Sequence, residues 1–449
     1  MASATPLNKL AMNGAFWSLL GYGFSNTLRF AGNLVLTRLL APELFGLMAL
    51  TTTFLTGLSL FSDVGITPSI IQSKRGADPS FLNTAWTIQA IRGIVIWFAC
   101  CAIAYPAAQF YQEPRITWLL PIVGLTTIIS GFASTSISSL KRDLFISKTV
   151  ILEISGQAIT LTIMIIWALF SENIWALIVG NIASAIIRTV ASFLIIRGYK
   201  NKFQWDPTAV HELFTFGRWI FLSTALTFLA MQGDRLIVGK IVSIEMLGVY
   251  SICIALAELP RQVVGRLGQD VIFPVISRAT GSPREEVRQK FLKKRWLLLI
   301  GSLFLAVLLV SAGDLLIEFL YDSRYSQGSW ILSILALGFW HTVLYDTMSP
   351  CLLGLGKPVY ATAGYFLRFL VLMLGVPLAF QLGGFVAAVI VIAFHDLPMY
   401  VVIAYGSVRE KMSSLQQDFY ATLIFIAVLA GSLALRYSLG FGLPLLRVL

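Results

Sequence analysis

The sequence predicts an all-α, polytopic membrane protein: two six-helix lobes in a parallel repeat around a central cavity, plus at least one extra C-terminal helix. Three observations carry this. The 449 residues are 57% hydrophobic and only 12% charged, against about 25% charged in a typical soluble domain, and the mean hydropathy is +0.81. Apolar stretches of about 20 residues, the length that crosses a hydrocarbon core, recur along the chain. A local pattern in the first half also returns in the second. This composition excludes a soluble enzyme, a nucleic-acid binder and a disordered chain. Cys100, Cys101, Cys253 and Cys351 sit in apolar stretches as small hydrophobes, and with three His in all no metal-ligand cluster is expected.

The elements follow in order. The polar start MASATPLNKLAMN precedes an apolar run longer than a signal-peptide core and lacking its cleavage pattern, so it predicts a retained first span. Spans are expected near 13–39, 43–69, 82–108, 116–140, 148–170 and 173–197, then near 212–239, 245–275, 295–320, 329–353, 358–380 and 383–406, with a thirteenth near 417–437. The lobes are read as 1–198 and 212–408, joined by a cytoplasmic linker at 199–211 and followed by an extra span and tail at 409–449. Loops after even-numbered spans hold 18 Lys and Arg, among them Lys74, Arg75, Lys141, Arg142, Arg284, Lys293, Lys294 and Arg295; loops after odd-numbered spans hold four, Arg38, Arg115, Lys240 and Arg324. The positive-inside rule then puts the N-terminus of a multi-pass membrane protein in the cytoplasm. The largest loop, 276–294, contains SPREEVRQKFLKKR, which suggests a short amphipathic surface helix.

The repeat is local but well placed. TRLLAPELFGLMAL (37–50) aligns without gaps on GKIVSIEMLGVYSI (239–252), setting Arg38 on Lys240, Glu43 on Glu245 and Gly46 on Gly248. AAQFYQEPRITWLL (107–120) echoes IEFLYDSRYSQGSWIL (317–332). Halves of six spans enter from the same side, so the repeat axis lies along the membrane normal, an architecture of transporters.

Polar residues in hydrocarbon face protein or a water-filled cavity. Span 1 carries Ser18, Tyr22, Ser25, Asn26, Arg29, Asn33 and Thr37 at helical spacing, span 2 carries Thr52, Thr56, Ser59, Asp63 and Thr67, span 7 carries Gln232, Asp234 and Arg235, and span 8 carries Glu258, Arg261, Gln262 and Gln269. Spans 1, 2, 7 and 8 are therefore expected to line the cavity. Guanidinium grips phosphate in a fork, so Arg29, Arg92, Arg261 and Arg368, with Asn26 and Asn33, are candidate contacts for a diphosphate or sugar. For Arg29 this reading is favoured because its own helix supplies no acid. For Arg92 and Arg368 it stands level with pairing to acids, and Arg261 has Glu258 three residues away. Asp63, Glu258, His395 and Asp396 are candidates to carry a coupling proton or sodium ion; a structural hydrogen bond competes at each. Asp234 and Arg235 are read as gating contacts between lobes. Glu153, Arg188, Arg218 and Asp346 are further charges within spans. Pro260, Pro274, Pro350, Pro377 and Pro398 lie in spans where kinks are expected.

With these residues on the page, the chain resembles the Wzx-type polysaccharide flippases of the multidrug/oligosaccharidyl-lipid/polysaccharide (MOP) superfamily. LTRLLAPELFGLMAL followed by FSDVGITPSIIQ (61–72) looks like their first two spans, GDRLIVGKIVSIEMLGVYSICIALAELP (233–260) like the start of their second half, and LNTAWTIQAIRG (82–93) and SSLKRDLFISKTVILEI (138–154) also fit. The resemblance covers about residues 10–410. It implies alternating-access translocation of an undecaprenyl-diphosphate-linked oligosaccharide for lipopolysaccharide, exopolysaccharide or capsule, with cavity arginines on the diphosphate. It also implies no cofactor, coupling to a proton or sodium gradient in several members, and membrane lipids and other polysaccharide-assembly proteins as partners. Ending after thirteen clear runs departs from a fourteen-span pattern.

Two alternatives remain. A multidrug or cation antiporter of the same superfamily would present acids to its substrate, whereas the mid-depth stripe here presents arginine. A membrane polymerase, ligase or glycosyltransferase needs an external loop bearing catalytic groups; the sequence has no such loop, no Asp-x-Asp motif and no P-loop.

Overall fold

A computed structural model describes the chain except residues 1–5, 144–145, 196–199, 269–271, 273–275, 277–282 and 445–449, and except the side chains of 6–16, 18–19, 146, 216–223, 225–226 and 267. Gln269, Asp270 and Pro274, and the side chains of Ser18 and Arg218, fall outside the described residues. The rest is helical, with no strand among the described residues. It divides into two compact units, Met1–Phe228 and Leu229–Leu449.

Unit 1 begins with α1 (Pro6–Leu39), α2 (Pro42–Phe61), α3 (Ile66–Gln72) and α4 (Pro79–Tyr111). It continues with α5 (Ile116–Gly131), α6 (Ser136–Arg142), α7 (Ile146–Phe170), α8 (Trp175–Leu194) and most of α9 (Pro207–Ile241). Two expected spans are broken. Span 2 ends at Phe61 because Asp63 accepts the Gly65 amide at 2.9 Å and Gly65 takes φ +64, a left-handed conformation that only glycine adopts freely. Thr67 therefore leaves the span-2 stripe and lies on α3, where it meets Ser138 of α6 at 3.1 Å. Span 4 bends by 60° between α5 and α6. Four carbonyls at that break are satisfied from α4: Gln89 donates to Ser130, Gly131 and Ala133, and Trp86 to Phe132. Helices α4 and α5 approach closely, since a Cβ on Gly93 would stand 2.5 Å from the Thr127 carbonyl, the small-residue packing expected where apolar solvent gives helices no hydrophobic drive.

Unit 2 holds the end of α9, α10 (Ile244–Leu267), α11 (Arg284–Leu320) and α12 (Gly328–Gly354). It is completed by α13 (Val359–Leu370), α14 (Val376–Phe394), α15 (Leu397–Arg409) and α16 (Leu415–Ser438). The basic stretch from Arg284 to Lys294 is no separate surface helix; it is the first three turns of the 37-residue α11. Arg295, counted above as a loop charge, is fully buried in α11. Helices α13 and α14 are continuous through a π turn at Val371–Gly375, placed just before Pro377, which lacks the N–H that regular α-helix needs. Gly383 and Gly384 then leave helical angles, Gly384 at φ +66. Gly364 meets Met399, Gly375 meets Val391 and Gly406 meets Tyr360, so the chain folds back at the glycine pair and the expected spans 11 and 12 form an antiparallel hairpin.

Among the described residues nine helical stretches are long and apolar enough to cross a membrane, and the bent α5–α6 pair makes a tenth. One of the nine, Val359–Arg409, contains both passes of the hairpin. With the long helices α1 and α9, every one of the thirteen expected runs corresponds to helix. The internal repeat is visible as the same device in both units. Before α5, Arg115 chelates Glu113 two residues earlier, at 2.6 and 2.8 Å; before α12, Arg324 chelates Asp322 in the same way, at 3.0 and 3.1 Å.

The stretch read as a linker is docked on unit 1. Asn201 bridges Ser134 and Thr135, the amides of Lys202, Gln204 and Asp206 donate to Asn83, Thr87 and Thr84 of α4, and Arg75 reaches Asp206 at 2.6 Å. The Thr208 hydroxyl, then the Arg75 guanidinium, hold the Asp206 carboxyl well below the usual carboxylate range. A depressed carboxyl contributes stability above its unfolded pKa, about 3.9, and loses it as pH falls through the lower folded value. Amide protection factors across 200–208, taken relative to the intrinsic exchange rate at each pH, are expected to fall on acidification below about pH 4. In Asp206→Asn they should already be low at neutral pH, and unchanged protection in that variant would show that the carboxylate does not hold the strap.

Candidate functional site

The charged groups of unit 2 converge. Helix α10 supplies Glu258 and Arg261 one turn apart, α12 supplies His341, Thr342, Tyr345 and Asp346, α13 supplies Arg368, and the α14–α15 junction supplies His395 and Asp396. Arg261 donates to Glu258 at 2.9 Å and to Tyr345 at 2.7 Å; it lies 3.4 Å from Asp346 and 3.7 Å from Asp396. Tyr345 passes the contact on, its hydroxyl donating to Asp396 at 3.0 Å, with Thr342 at 3.4 Å. Arg368 stands 3.1 Å from the other Asp396 oxygen and His395 Nε2 3.6 Å from it. The His395 Nδ1 side faces the Ile392 carbonyl.

Hydrogen bonding and proximity of opposite charge are what let such groups stay ionised away from water. Three carboxylates, Glu258, Asp346 and Asp396, face two guanidinium groups, Arg261 and Arg368, so acids outnumber guanidinium groups by one. A cleft lined by Glu258, Arg261, Thr342, His395 and Asp396 opens onto this cluster. His395 Nε2, on the cleft lining, is buried without a hydrogen-bond partner, as are His341 Nε2 and Arg368 Nη1 within the cluster. Among the described residues no group of three or more His, Cys, Asp or Glu is arranged to hold a metal ion.

The other candidates disperse. Arg92 donates to the Ser59 carbonyl at 2.5 Å and to Ser62 at 3.1 Å; its cation sits at the C-terminal end of α2, where the helix dipole favours it. Asp63 forms the turn after α2. Asp234 is buried and accepts from Tyr250 of α10 at 2.6 Å, and Arg235 donates to Gln232 at 2.9 Å, so both have partners inside unit 2. On α1 the stripe stands clear: Asn26 is half-buried, and Arg29 and Asn33 are exposed. Arg29 makes no hydrogen bond or ion pair with any described residue.

Sequence reasoning did not place Tyr345, Thr342 and Asp346 in the cluster, although Asp346 had been marked as a charge within a span. It also missed two buried pairs that tie α16 to α11. Arg295 meets Asp418 at 2.6 Å and also donates to Thr347 and Gln417. At the other end Arg436 pairs with Asp314.

Residues 35–329 match the family model described as polysaccharide biosynthesis protein. The chain belongs to this family. Curated relatives of this polysaccharide biosynthesis protein include the succinoglycan biosynthesis transport protein ExoT of Rhizobium meliloti, 22% identical over 76% of this chain and 68% of that protein. The teichuronic acid biosynthesis protein TuaB of Bacillus subtilis is 21% identical over 66% of this chain and 61% of its own length. The lipopolysaccharide biosynthesis protein WzxC of Escherichia coli is 21% identical over 64% and 58%. The latter two are thus matched over less than two thirds of their own length. Among solved structures, the lipid II flippase MurJ in an inward closed conformation superposes with a TM-score of 0.71 at 14% identity, covering 92% of this chain and 91% of that one. An inward-facing MATE-family multidrug resistance transporter of the MOP superfamily gives 0.69 at 11%, covering 86% and 94%. The fold is that of the MOP superfamily, and the resemblance to its Wzx-type members holds. This polysaccharide biosynthesis protein is a multi-pass bacterial membrane protein.

Removing one partner from a buried ion cluster strands the others, at a cost of about 3–5 kcal/mol. Asp396→Ala takes from the buried Arg368 its acid partner, while Arg261 keeps Glu258 and Asp346. Thermal unfolding of the purified protein is expected to show a destabilisation of that size, whereas a melting curve matching wild type would mean that the cluster is hydrated and does not depend on Asp396.

Proposed function

We propose that the protein moves an undecaprenyl-diphosphate-linked oligosaccharide from the cytoplasmic to the periplasmic leaflet of the inner membrane, as a transporter serving assembly of a surface polysaccharide. The observation that carries this reading is Arg29: an exposed guanidinium without a partner among the described residues, on a long helix that supplies no acid of its own, in a member of a polysaccharide biosynthesis family. An anionic headgroup is the ligand chemistry that such a group favours. In this reading Asn26 and Asn33, one turn on either side, hydrogen-bond sugar hydroxyls. Arg261 and Arg368 are engaged by carboxylates, and Arg92 by a helix end, so they are weaker candidates for the substrate.

The one carboxyl group in excess of the guanidinium groups in the unit 2 cluster suits one proton or one sodium ion. We assign coupling to Glu258, Asp396 and His395 there, in preference to Asp63 and the Asp234–Arg235 pair. Alternating access would follow if occupancy of this cluster shifted the balance between inward- and outward-open states. The rival reading, a cation antiporter, has the MATE-type fold in its favour but asks for an acid where α1 presents Arg29.

Deleting the gene should cause a lipid-linked oligosaccharide to accumulate in the cytoplasmic leaflet and surface polysaccharide to be lost. Intact polysaccharide with new drug sensitivity would sink the proposal. Arg29→Ala should fail to restore the polysaccharide although the protein still inserts, and full complementation would remove Arg29 from the site. A reporter fused after residue 411 should read cytoplasmic; an external signal would invert the orientation.

A further inference from the structure

Among the described residues, three charges within the expected spans of unit 1 lack a partner, and only one of them has been given a role. Arg29 of α1, Glu153 of α7 and Arg188 of α8 are all exposed, and none makes a hydrogen bond or ion pair with a described residue. Glu153 lies seven residues into α7 and Arg188 six residues before the end of α8, each about 10 Å inside its helix. At such depths a charge that faced lipid would be costly.

Helix contacts show which way each charge faces. Gly21 packs on Val150, Ser25 hydrogen-bonds Gln157 at 2.5 Å and Gly32 packs on Leu161, so α1 and α7 run in the same direction. At 100° per residue, Arg29 is turned about 60° to one side of that contact line, and the exposed Phe24 and Val35 about 60–80° to the other. On α7, Glu153 is turned about 60° from its contact line with α1, in the opposite sense to the exposed Ile151. For two parallel helices, opposite rotations from the contact line reach the same side. Arg29 and Glu153 therefore share one face of the pair, and the exposed apolar residues occupy the other.

Helix α8 extends that face. Gly180 meets Met164 and Gly156 meets Ile187, so α8 runs antiparallel to α7. Arg188 is turned about 90° from this line, away from the exposed Ile186 and Val190 and toward α5, which Thr189 reaches at Ile129. The sense of rotation reverses for an antiparallel neighbour, which puts Arg188 on the same side as Glu153 and Arg29. Matching the contact registers, the three Cα levels fall within about 8 Å along the helix axes, with Arg188 between Glu153 and Arg29.

We propose that α1, α7 and α8 present one anion-binding face in unit 1, in which Arg188 is the second guanidinium for a diphosphate-bearing ligand and Glu153 is the acid that opposes its binding. The assignment rests on reading Arg29 as a ligand contact. Two forked cations a few ångströms apart in height match the two phosphoryl groups of a diphosphate diester. Glu153 lowers the net charge of the face from +2 to +1, moderating its hold so that a bound headgroup can also leave.

The test is titration calorimetry on the full chain purified in detergent, with geranyl diphosphate and inorganic pyrophosphate as probes. Arg29→Ala and Arg188→Ala should each weaken binding by about tenfold or more, with Arg188→Lys between Ala and wild type. Glu153→Gln should tighten binding by about threefold, a gain that a folding defect cannot produce. Equal binding of both probes would assign recognition to the diphosphate alone, and preference for geranyl diphosphate would add the isoprenyl chain; either supports the face. Unchanged affinity in Arg188→Ala with loss in Arg29→Ala would overturn the role of Arg188 and leave the flippase reading standing. Weaker binding in Glu153→Gln would overturn the opposing role of the acid. No binding of either probe to wild type would overturn both this face and the diphosphate reading of Arg29.

Discussion

Hydrocarbon does not solvate charge, and the placement of every ionised side chain within the spans follows from that constraint. Each must find an opposite charge, a helix end or a polar space. Arg261 and Arg368 find three acids, Arg295 finds Asp418, Arg436 finds Asp314, and Arg92 finds the carbonyl end of α2. Such pairs add little net stability compared with apolar residues of the same volume, but losing one member is costly. They therefore specify arrangement more than they strengthen it. Once these are assigned, three charges without partners among the described residues stand out, Arg29, Glu153 and Arg188, all in unit 1.

The two units share an ancestry-like pattern and have diverged in how they treat charge. Both keep the acid-x-Arg chelate before a spanning helix, at Glu113–Arg115 and Asp322–Arg324. Unit 2 closes its cations with carboxylates and a tyrosine relay. Unit 1 leaves Arg29 and Arg188 open. A protein that binds an anion in one unit and an ion in the other would need such an asymmetry, because the same residues cannot be neutralised and available at once.

Much of the helical layout was legible because apolar length is a property of composition. The hairpin at Gly383–Gly384 was visible as a gap between two runs, and the Arg261–Glu258 pair as a spacing of one helical turn. Other features were not. The break after α2 hid inside an apolar run, although Ser62, Asp63 and Gly65 are turn residues; hydropathy averages over such a signal. Arg295 looked like one more basic loop residue because its partner, Asp418, is far away in sequence. The role of Arg92 depends on where α2 ends, and the common face of Arg29, Glu153 and Arg188 depends on which helices are neighbours, neither of which any single segment encodes.

The two ion pairs that fasten α16 to α11 carry a consequence for how the chain is built. Arg295 and Asp314 are 19 residues apart on α11, and their partners Asp418 and Arg436 are 18 apart on α16, so each pair lies near one edge of a layer about 28 Å deep. The signs are crossed, Arg then Asp on one helix and Asp then Arg on the other, and a slip by one turn would break both contacts together. Helix α16 can therefore seat on α11 in one direction and one register only, so the pairing is keyed by the spacing and order of charge rather than by the fit of apolar side chains.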